Sequence, residues 1–126
     1  MAVTAKSIDR DSLIAFARSL IRTPSISTQE GEAAALVAEE MRTVGFDEVR
    51  VDRMGNVIGR IGPGHGKKLL FDAHMDTVDI GDAEAWKRDP FGAEIEHGVL
   101  NGRGACDMKG GLAAMVYAGK ALRESG

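Results

Sequence analysis

The sequence predicts an α/β fold in which a mixed β-sheet is flanked by helices. Three stretches repeat apolar residues at helical spacing, and they run from Asp11 to Arg22, from Ala33 to Met41 and from Met108 to Glu124. The stretches between them alternate polar and apolar residues or form a short apolar run that begins at Leu69, as strands do. Helices therefore enclose a strand-rich middle section.

Length and composition indicate one domain with a real core. The chain has 126 residues, of which 44% are hydrophobic and 28% charged, with a net charge of −3. Its 16 Lys and Arg are scattered among 19 Asp and Glu without a basic stripe, which argues against a nucleic-acid partner. The single cysteine, Cys106, excludes an internal disulfide and suits a reducing compartment. With no signal-peptide core from Met1 to Arg10 and no membrane-length apolar run, we expect a cytoplasmic protein without a membrane partner.

Local signals set the expected boundaries of the first elements. Pro24 ends the first helix, and the stretch from Ser27 to Glu30 has the form of a capping box before the second helix, which Gly45 can close. Residues 48–53 and 56–61 alternate as two strands, and the turn at Gly55 between them predicts a hairpin.

The glycine-rich stretch 62–68 raises the question of a phosphate-binding loop. It is one residue short of the required pattern, and Lys68 stands where a magnesium-binding hydroxyl is needed. We therefore interpret it as a mobile turn, with His65 as an exposed loop histidine. A strand from Lys68 to Ala73 is expected to follow.

The stretch from Val78 to Gly92 lacks any period and is interpreted as an ordered loop. Its acidic residues do not follow the register of a calcium loop, and Trp86 and Phe91 are expected to anchor it by burial. Residues 93–97 and 99–101 then predict a short hairpin around Gly98, with His97 at the turn.

Two separated segments predict one metal site. The apolar run after Lys68 ends in His74-Met75-Asp76, which resembles a buried strand that delivers an imidazole to the edge of a sheet. Asp107 lies in a glycine-rich loop before the third helix, where small neighbours let a metal approach its carboxylate. Gly110 and Gly111 disfavour a helix start by roughly 1 kcal/mol each, so we expect a ligand or strand to pack against that turn.

These motifs resemble the zinc-dependent family of acetylornithine deacetylase, succinyl-diaminopimelate desuccinylase, aminoacylase and related carboxypeptidases. The resemblance rests on His74-Met-Asp76-Thr-Val, on Trp86 with Asp89-Pro90-Phe91, and on the stretch from Gly98 to Gly111 that contains Asn-Gly-Arg-Gly-Ala-Cys-Asp-Met-Lys-Gly-Gly. It covers almost the whole chain. Within this family, the segments Asp72-Ala73-His74 and Met115 to Lys120 are most similar to hydrolases of the selenium-metabolism type.

The resemblance implies a fold and a site. The fold is the N-terminal portion of a zinc-exopeptidase-like catalytic domain. His74 matches a zinc ligand, Asp107 the carboxylate that bridges two zinc ions, and Asp76 the catalytic-site aspartate that orients His74. Cobalt or manganese are alternatives to zinc, and no organic cofactor is implied. The parent would cleave an amide bond in a small N-acyl amino acid or peptide, and a homodimer is compatible with it.

The chain departs from the family pattern in what it lacks. Residues 1–126 are expected to be an incomplete N-terminal segment of a metallohydrolase catalytic domain, without the dimerisation domain and the C-terminal catalytic half. Glu39-Glu40 lies before His74 and is interpreted as a solvated helix face, so it is not the family's Glu-Glu pair with the general base. Taken singly, His74 and Asp107 could be a strand end and a helix N-cap. The alternative function is a stand-alone fragment that folds, binds metal weakly and catalyses nothing.

Overall fold

The computed structural model describes residues 8–125. Its helices are α1 (Arg10–Arg22), α2 (Gly31–Thr43) and α3 (Gly110–Ser125). Its strands are β1 (Glu48–Val51), β2 (Val57–Arg60), β3 (Ile95–Glu96) and β4 (Val99–Leu100). The α/β class is confirmed, and the strands form two small antiparallel ribbons, β1 with β2 and β3 with β4. Within the described residues, no helix is both long and apolar enough to cross a membrane.

The core lies where the three helices meet. Each helix turns its apolar stripe inward because residues three and four apart share a face. The largest contribution comes from α1 and α3, which lie at opposite ends of the sequence. The buried cluster consists of Phe16, Ala17, Leu20, Val37, Leu112, Ala113, Val116 and Tyr117.

The Glu39-Glu40 pair of α2 is split between solvent and core. Glu39 is exposed and pairs with Arg42, as its interpretation as a solvated residue predicts. Glu40 is half-buried and accepts a hydrogen bond from the Tyr117 hydroxyl of α3. Burial, together with this carboxylate, raises the pKa of Tyr117. The solvated interpretation is therefore wrong for Glu40, because α3 packs over that edge of α2.

The helix ends follow local chemistry, with one difference from the sequence prediction. The Asp9 carboxylate caps α1 by accepting from the Ser12 amide at 3.2 Å. The helix ends at Arg22, just before Pro24. Glu30 precedes α2, and its side chain accepts from the Thr28 amide at 2.7 Å. The predicted capping box is absent from these contacts because the Ser27 hydroxyl donates elsewhere, to Asp76.

Both predicted hairpins are confirmed. In the first, Val51 of β1 is opposite Val57 of β2, and Gly55 in the turn has a φ of 88°. The Asp52 carboxylate stabilises this turn by accepting from the amides of Met54 and Asn56 at 2.9 and 3.0 Å. In the second, Glu96 of β3 is opposite Val99 of β4, with His97 and Gly98 at the turn.

The predicted buried strand from Lys68 to Ala73 is wrong. Residues 67–76 have no regular secondary structure, and Leu69 and Leu70 are 88% and 92% exposed. A strand needs a neighbour for its backbone groups, and within the described residues this stretch has none beside it in a sheet. The preceding stretch 62–68 is exposed and irregular, in keeping with a turn.

Order returns just beyond this stretch, where residues 75–77 lie beside residues 25–27. Ile26 and Thr77 form a parallel bridge, in which the Thr77 amide donates to the Ser25 carbonyl at 2.8 Å. The buried Ser25 hydroxyl donates to the Met75 carbonyl at 2.7 Å. These contacts fix the backbone on either side of Asp76 to the segment that follows α1.

The third helix begins two residues later than predicted. Residues 105–109 form an irregular turn, in which the peptide bond between Asp107 and Met108 is cis. A Cβ at Gly110 would lie 2.7 Å from the Ala105 carbonyl oxygen, so this glycine admits the preceding turn of backbone. The close neighbour is therefore the chain itself and not the ligand or strand that the sequence suggested. A Cβ at Gly111 would meet only the end of the Met108 side chain.

Candidate metal centre

The first half of the candidate site comes from the segment that lies beside residues 25–27. His74 and Asp76 project from it toward the same place, where the imidazole Nδ1 lies 3.0 Å from both the backbone oxygen and the Oδ1 of Asp76. Both neighbours of Nδ1 are acceptors, so Nδ1 carries a proton and donates it. The other ring nitrogen, Nε2, makes no contact with Asp76 and faces the second half of the site.

The second half is the irregular turn before α3. Asp107 Oδ1 lies 2.8 Å from His74 Nε2, across a sequence separation of 33 residues. The Asp107 side chain is otherwise open, with 86% of its surface exposed. The structure thus brings together the three residues that the sequence predicted for the site, His74, Asp76 and Asp107.

The charges of this cluster are coupled. The hydrogen bond to the Asp107 carboxylate, helped by those to Asp76, holds the pKa of His74 above its ordinary value. The hydrogen bond from the Ser27 hydroxyl, followed by that from His74, lowers the pKa of Asp76. The His74 imidazole thus lies between the carboxylates of Asp76 and Asp107.

Ser27 is a member of the site that the sequence did not identify. Its hydroxyl donates to Asp76 Oδ2 at 2.5 Å, so Asp76 contacts His74 with one oxygen and Ser27 with the other. The sequence predicts that Ser27 belongs to a capping box, because serine before a helix usually has that role. Only the pairing of residues 25–27 with 75–77 brings it to the site.

Lys109 is the second residue that the sequence did not single out. Its side chain is only 1% exposed, and its Nζ donates to the carbonyl oxygens of Leu20 at 2.8 Å and Thr23 at 2.6 Å. Burial lowers its pKa to about 8. A lysine in a polar, glycine-rich loop is ordinarily a surface residue, so the sequence carries no signal for this burial.

His74 and Asp107 border an open cleft of about 250 Å³. One wall is formed by the loop from Gly102 to Asp107, and the other by residues 76–78. Next to it, the Arg103 guanidinium lies 4.9 Å from the centre of the Trp86 ring. The Trp86 Nε1 donates to the Ile80 carbonyl at 2.8 Å, a contact within the loop from Val78 to Gly92, and the Trp86 side chain is half-buried.

The donor atoms fit a metal ion in part. Two donors on one tetrahedral zinc ion lie roughly 3.3 Å apart, and Nε2 and Oδ1 need only a small displacement from their contact to reach that separation. The ion would take the place of the Nε2 proton, while Asp76 keeps the proton on Nδ1. Within residues 8–125, however, no group of three or more His, Cys, Asp and Glu side chains could hold a metal. The described residues therefore offer two of the usual four donors.

The remaining histidines lie apart from this cluster. His65 is exposed in the irregular stretch 62–68, and His97 is exposed at the turn between β3 and β4. Both positions agree with their interpretation as loop residues.

Comparisons with known proteins identify the class. Residues 70–126 match the family model "Peptidase family M20/M25/M40". The chain is 45% identical over 112 residues to "Uncharacterized protein YgeY" of Escherichia coli K12, which covers 88% of the chain. It is 47% identical over 108 residues, 83% of the chain, to "Succinyl-diaminopimelate desuccinylase" of Cereibacter sphaeroides. A desuccinylase of the same name from Rhodospirillum centenum is 42% identical over 121 residues, 90% of the chain.

Over residues 70–126 the chain is therefore similar to peptidase family M20/M25/M40, a generally metal-dependent class of hydrolases. This confirms the family resemblance found in the sequence. The similarity lies in the N-terminal region of the relatives, and the chain spans 27%, 28% and 31% of the lengths of the three just named. The finer placement near selenium-metabolism hydrolases stays a prediction.

Proposed function

We propose that the chain is the N-terminal segment of the catalytic domain of a zinc-dependent hydrolase that cleaves an amide bond in a small N-acyl amino acid or peptide. One observation carries this proposal: His74 Nε2 and Asp107 Oδ1 converge at 2.8 Å on the edge of an open cleft. The family match and the named desuccinylases support the reaction class.

Each of the three residues has a distinct role in the proposal. His74 and Asp107 hold zinc, and cobalt or manganese would suit the same nitrogen and oxygen donors. Asp76 acts as a positioning residue, because its contact with Nδ1 fixes both the tautomer and the orientation of the imidazole. When bound, the metal polarises the scissile carbonyl and makes a water molecule more acidic.

The isolated chain is proposed to bind metal weakly and to be inactive. Two donors leave a zinc ion mostly hydrated, and no third ligand joins them among the described residues. A proton acceptor for the attacking water would also have to come from elsewhere, because Asp107 itself would hold the metal. The remaining ligands and a dimer contact would be supplied by a chain of the relatives' length. A cytoplasmic location stays a prediction.

Metal binding by the purified chain tests the site. Titration calorimetry with zinc should give weak binding that His74→Ala and Asp107→Asn each reduce at least 10-fold, in line with loss of a ligand. His97→Ala is the matched control, since this histidine is exposed at a hairpin turn. Equal zinc affinity in the wild type and both site variants would contradict the proposal.

An activity assay tests the proposed inactivity of the isolated chain. We expect no zinc-stimulated hydrolysis of N-acetyl amino acids or N-succinyl-diaminopimelate by the isolated chain. Turnover that depends on zinc and disappears in Asp107→Asn would show that these residues suffice, and the proposed inactivity would be wrong.

A further inference from the structure

Lys109 lies two residues after Asp107, in the irregular turn that precedes α3. It is the largest of the fully buried side chains among the described residues. A buried ammonium normally pairs with a carboxylate, yet within residues 8–125 Lys109 lies within ion-pair distance of none. Its two hydrogen-bond acceptors are the backbone carbonyls of Leu20 and Thr23 at the end of α1.

The end of α1 explains this choice of acceptor. In an α-helix, the Leu20 carbonyl would accept from the amide of the residue four positions on, which is Pro24 and has no N–H. The Thr23 amide donates to the Leu20 carbonyl at 3.2 Å, across three residues as in a 3₁₀ turn. The Lys109 ammonium supplies the missing donor, and its charge complements the partial negative charge of the helix end.

The same lysine fixes the turn that carries Asp107. Its amide donates to the Gly104 carbonyl at 2.8 Å, which closes the turn from behind. A Cβ on Gly104 would lie 3.3 Å from the Lys109 Cδ and 2.5 Å from the Thr77 Cγ2. Gly104 is therefore packed between the aliphatic part of the Lys109 side chain and the Thr77 side chain.

Asp107 has little else to hold it. Its exposed carboxylate has one hydrogen-bond partner among the described residues, His74. On the other side, His74 follows the backbone that residues 25–27 hold. The short segment from Leu20 to Ser27 thus holds both halves of the site, one through Lys109 and the other through backbone pairing.

We propose that Lys109 is a positioning residue, which anchors the Asp107 turn to the end of α1 so that the carboxylate meets an ion held by His74. The inference rests on the proposed function for the identity of that ion. The anchoring itself is a property of the metal-free chain and can be tested without metal.

The test uses two measurements on the isotopically labelled chain. Amide signals are followed by nuclear magnetic resonance during titration with cobalt chloride, in which cobalt stands in for zinc. In the wild type, the signals around His74 and those of residues 105–109 should be perturbed together with one apparent Kd. In Lys109→Met the signals near His74 should still respond to cobalt, while the signals of residues 105–109 should no longer be perturbed with them. The apparent Kd should rise about 10-fold or more.

Three comparisons isolate the ammonium group. Lys120→Met removes a lysine from the surface of α3, where it pairs with Asp9, and should leave cobalt binding unchanged. Lys109→Met in an Asp107→Asn background should add no further loss of cobalt affinity, because the carboxylate it positions is already gone. Lys109→Gln keeps one amide donor on a shorter side chain, so it should lose less affinity than Lys109→Met and serves if the methionine variant does not fold.

Hydrogen exchange without metal decides the anchoring directly. In the wild type, the amides of Lys109 and Thr23 should exchange through one shared opening, since the ammonium joins the two segments. Independent and much faster exchange at Lys109 would overturn the proposal, as would wild-type cobalt binding in a folded Lys109→Met or Lys109→Gln chain. If cobalt fails to perturb the wild type at all, the proposed function fails, and hydrogen exchange still decides the role of Lys109.

Discussion

At the scale of single residues, the proposed role of Asp76 is to orient His74 without binding the metal itself. One of its oxygens accepts a hydrogen bond from His74 Nδ1 and the other accepts one from the Ser27 hydroxyl. Both the position and the charge of the carboxylate are therefore fixed. Asp76→Asn keeps the shape and loses the charge. We expect zinc affinity of the chain to fall on the order of 10- to 100-fold with the fold intact, as measured by calorimetry and circular dichroism.

Two variants control this experiment. Ser27→Ala removes the support behind Asp76 and should cause a smaller loss of zinc affinity. Asp79→Asn changes an exposed aspartate whose side chain accepts from the Gly81 amide, and it should have no effect. Unchanged affinity in Asp76→Asn, or a metal-bound structure with Asp76 as a ligand, would remove Asp76 from its positioning role.

Asp9 provides a pH-dependent contribution to stability far from the site. Hydrogen bonds from Lys120 first, and from Ser12 second, lower its pKa from 3.8 to about 2. A carboxylate with a lowered pKa stabilises the fold above its unfolded value of 3.8, and this contribution disappears as the pH falls through about 2. Asp9→Asn keeps an oxygen for the helix cap but loses the charge. The urea midpoint should therefore be lower in Asp9→Asn than in the wild type above pH 4, with the difference closing toward pH 2.

Asp82→Asn is the matched control for Asp9, since this aspartate also accepts from a nearby amide, that of Glu84. A difference between Asp9→Asn and the wild type that stayed constant from pH 7 to pH 2 would mean that the charge of Asp9 does not act.

At the scale of elements, the Phe46 ring packs against one glycine of the first hairpin and one glycine of α3. A Cβ at Gly59 of β2 would lie 2.6 Å from Phe46 Cδ1, and one at Gly119 of α3 would lie 2.6 Å from Phe46 Cζ. Gly119→Ala should therefore lower the free energy of unfolding by about 1 kcal/mol or more, although alanine favours a helix, because the added methyl group overpacks the contact.

Gly111→Ala in the same helix is the opposite case. Its Cβ would meet only Met108 Cε at 3.4 Å, and the position is exposed. We expect a gain of roughly 0.5 to 1 kcal/mol in the free energy of unfolding, measured by urea denaturation. If both substitutions stabilised the chain, Phe46 would not be seated against α3.

The elements also show which structure a sequence can reveal by itself. The helices and hairpins depend on neighbours in sequence, such as Pro24 after α1 and Gly55 in the first turn, and these were predicted correctly. The stretch from Lys68 to Ala73 has the composition of a buried strand, but a strand depends on partners that come from any part of a fold. Ser27 and Lys109 escaped prediction for the same reason, because their partners lie 49 and 86 to 89 residues away.

At the scale of the whole molecule, the described chain exposes three consecutive apolar side chains. Leu69, Leu70 and Phe71 are 88%, 92% and 68% exposed. Exposed apolar side chains promote association. We expect the isolated chain to self-associate in sedimentation experiments and Leu70→Lys to reduce this, with the free energy of unfolding changed by less than about 0.5 kcal/mol.

Leu122→Lys is the control for surface charge, since Leu122 is 53% exposed on α3 and lies outside this stretch. A loss of about 2 kcal/mol or more in Leu70→Lys would mean that Leu70 is packed in solution. Equal suppression by the two lysines would mean that net charge, and not the apolar stretch, controls association.

The packing of α1 against α3 has a consequence for folding of the chain during its synthesis. On the ribosome α1 is made before α3, its main helical partner, and the Lys109 contact with Leu20 spans 89 residues. Synthesis proceeds at about 5 to 20 residues per second, so α1 spends several seconds without the surface that will bury it. During that interval its apolar face is accessible to chaperones, and the proposed metal site lacks the contact of Lys109 with the end of α1.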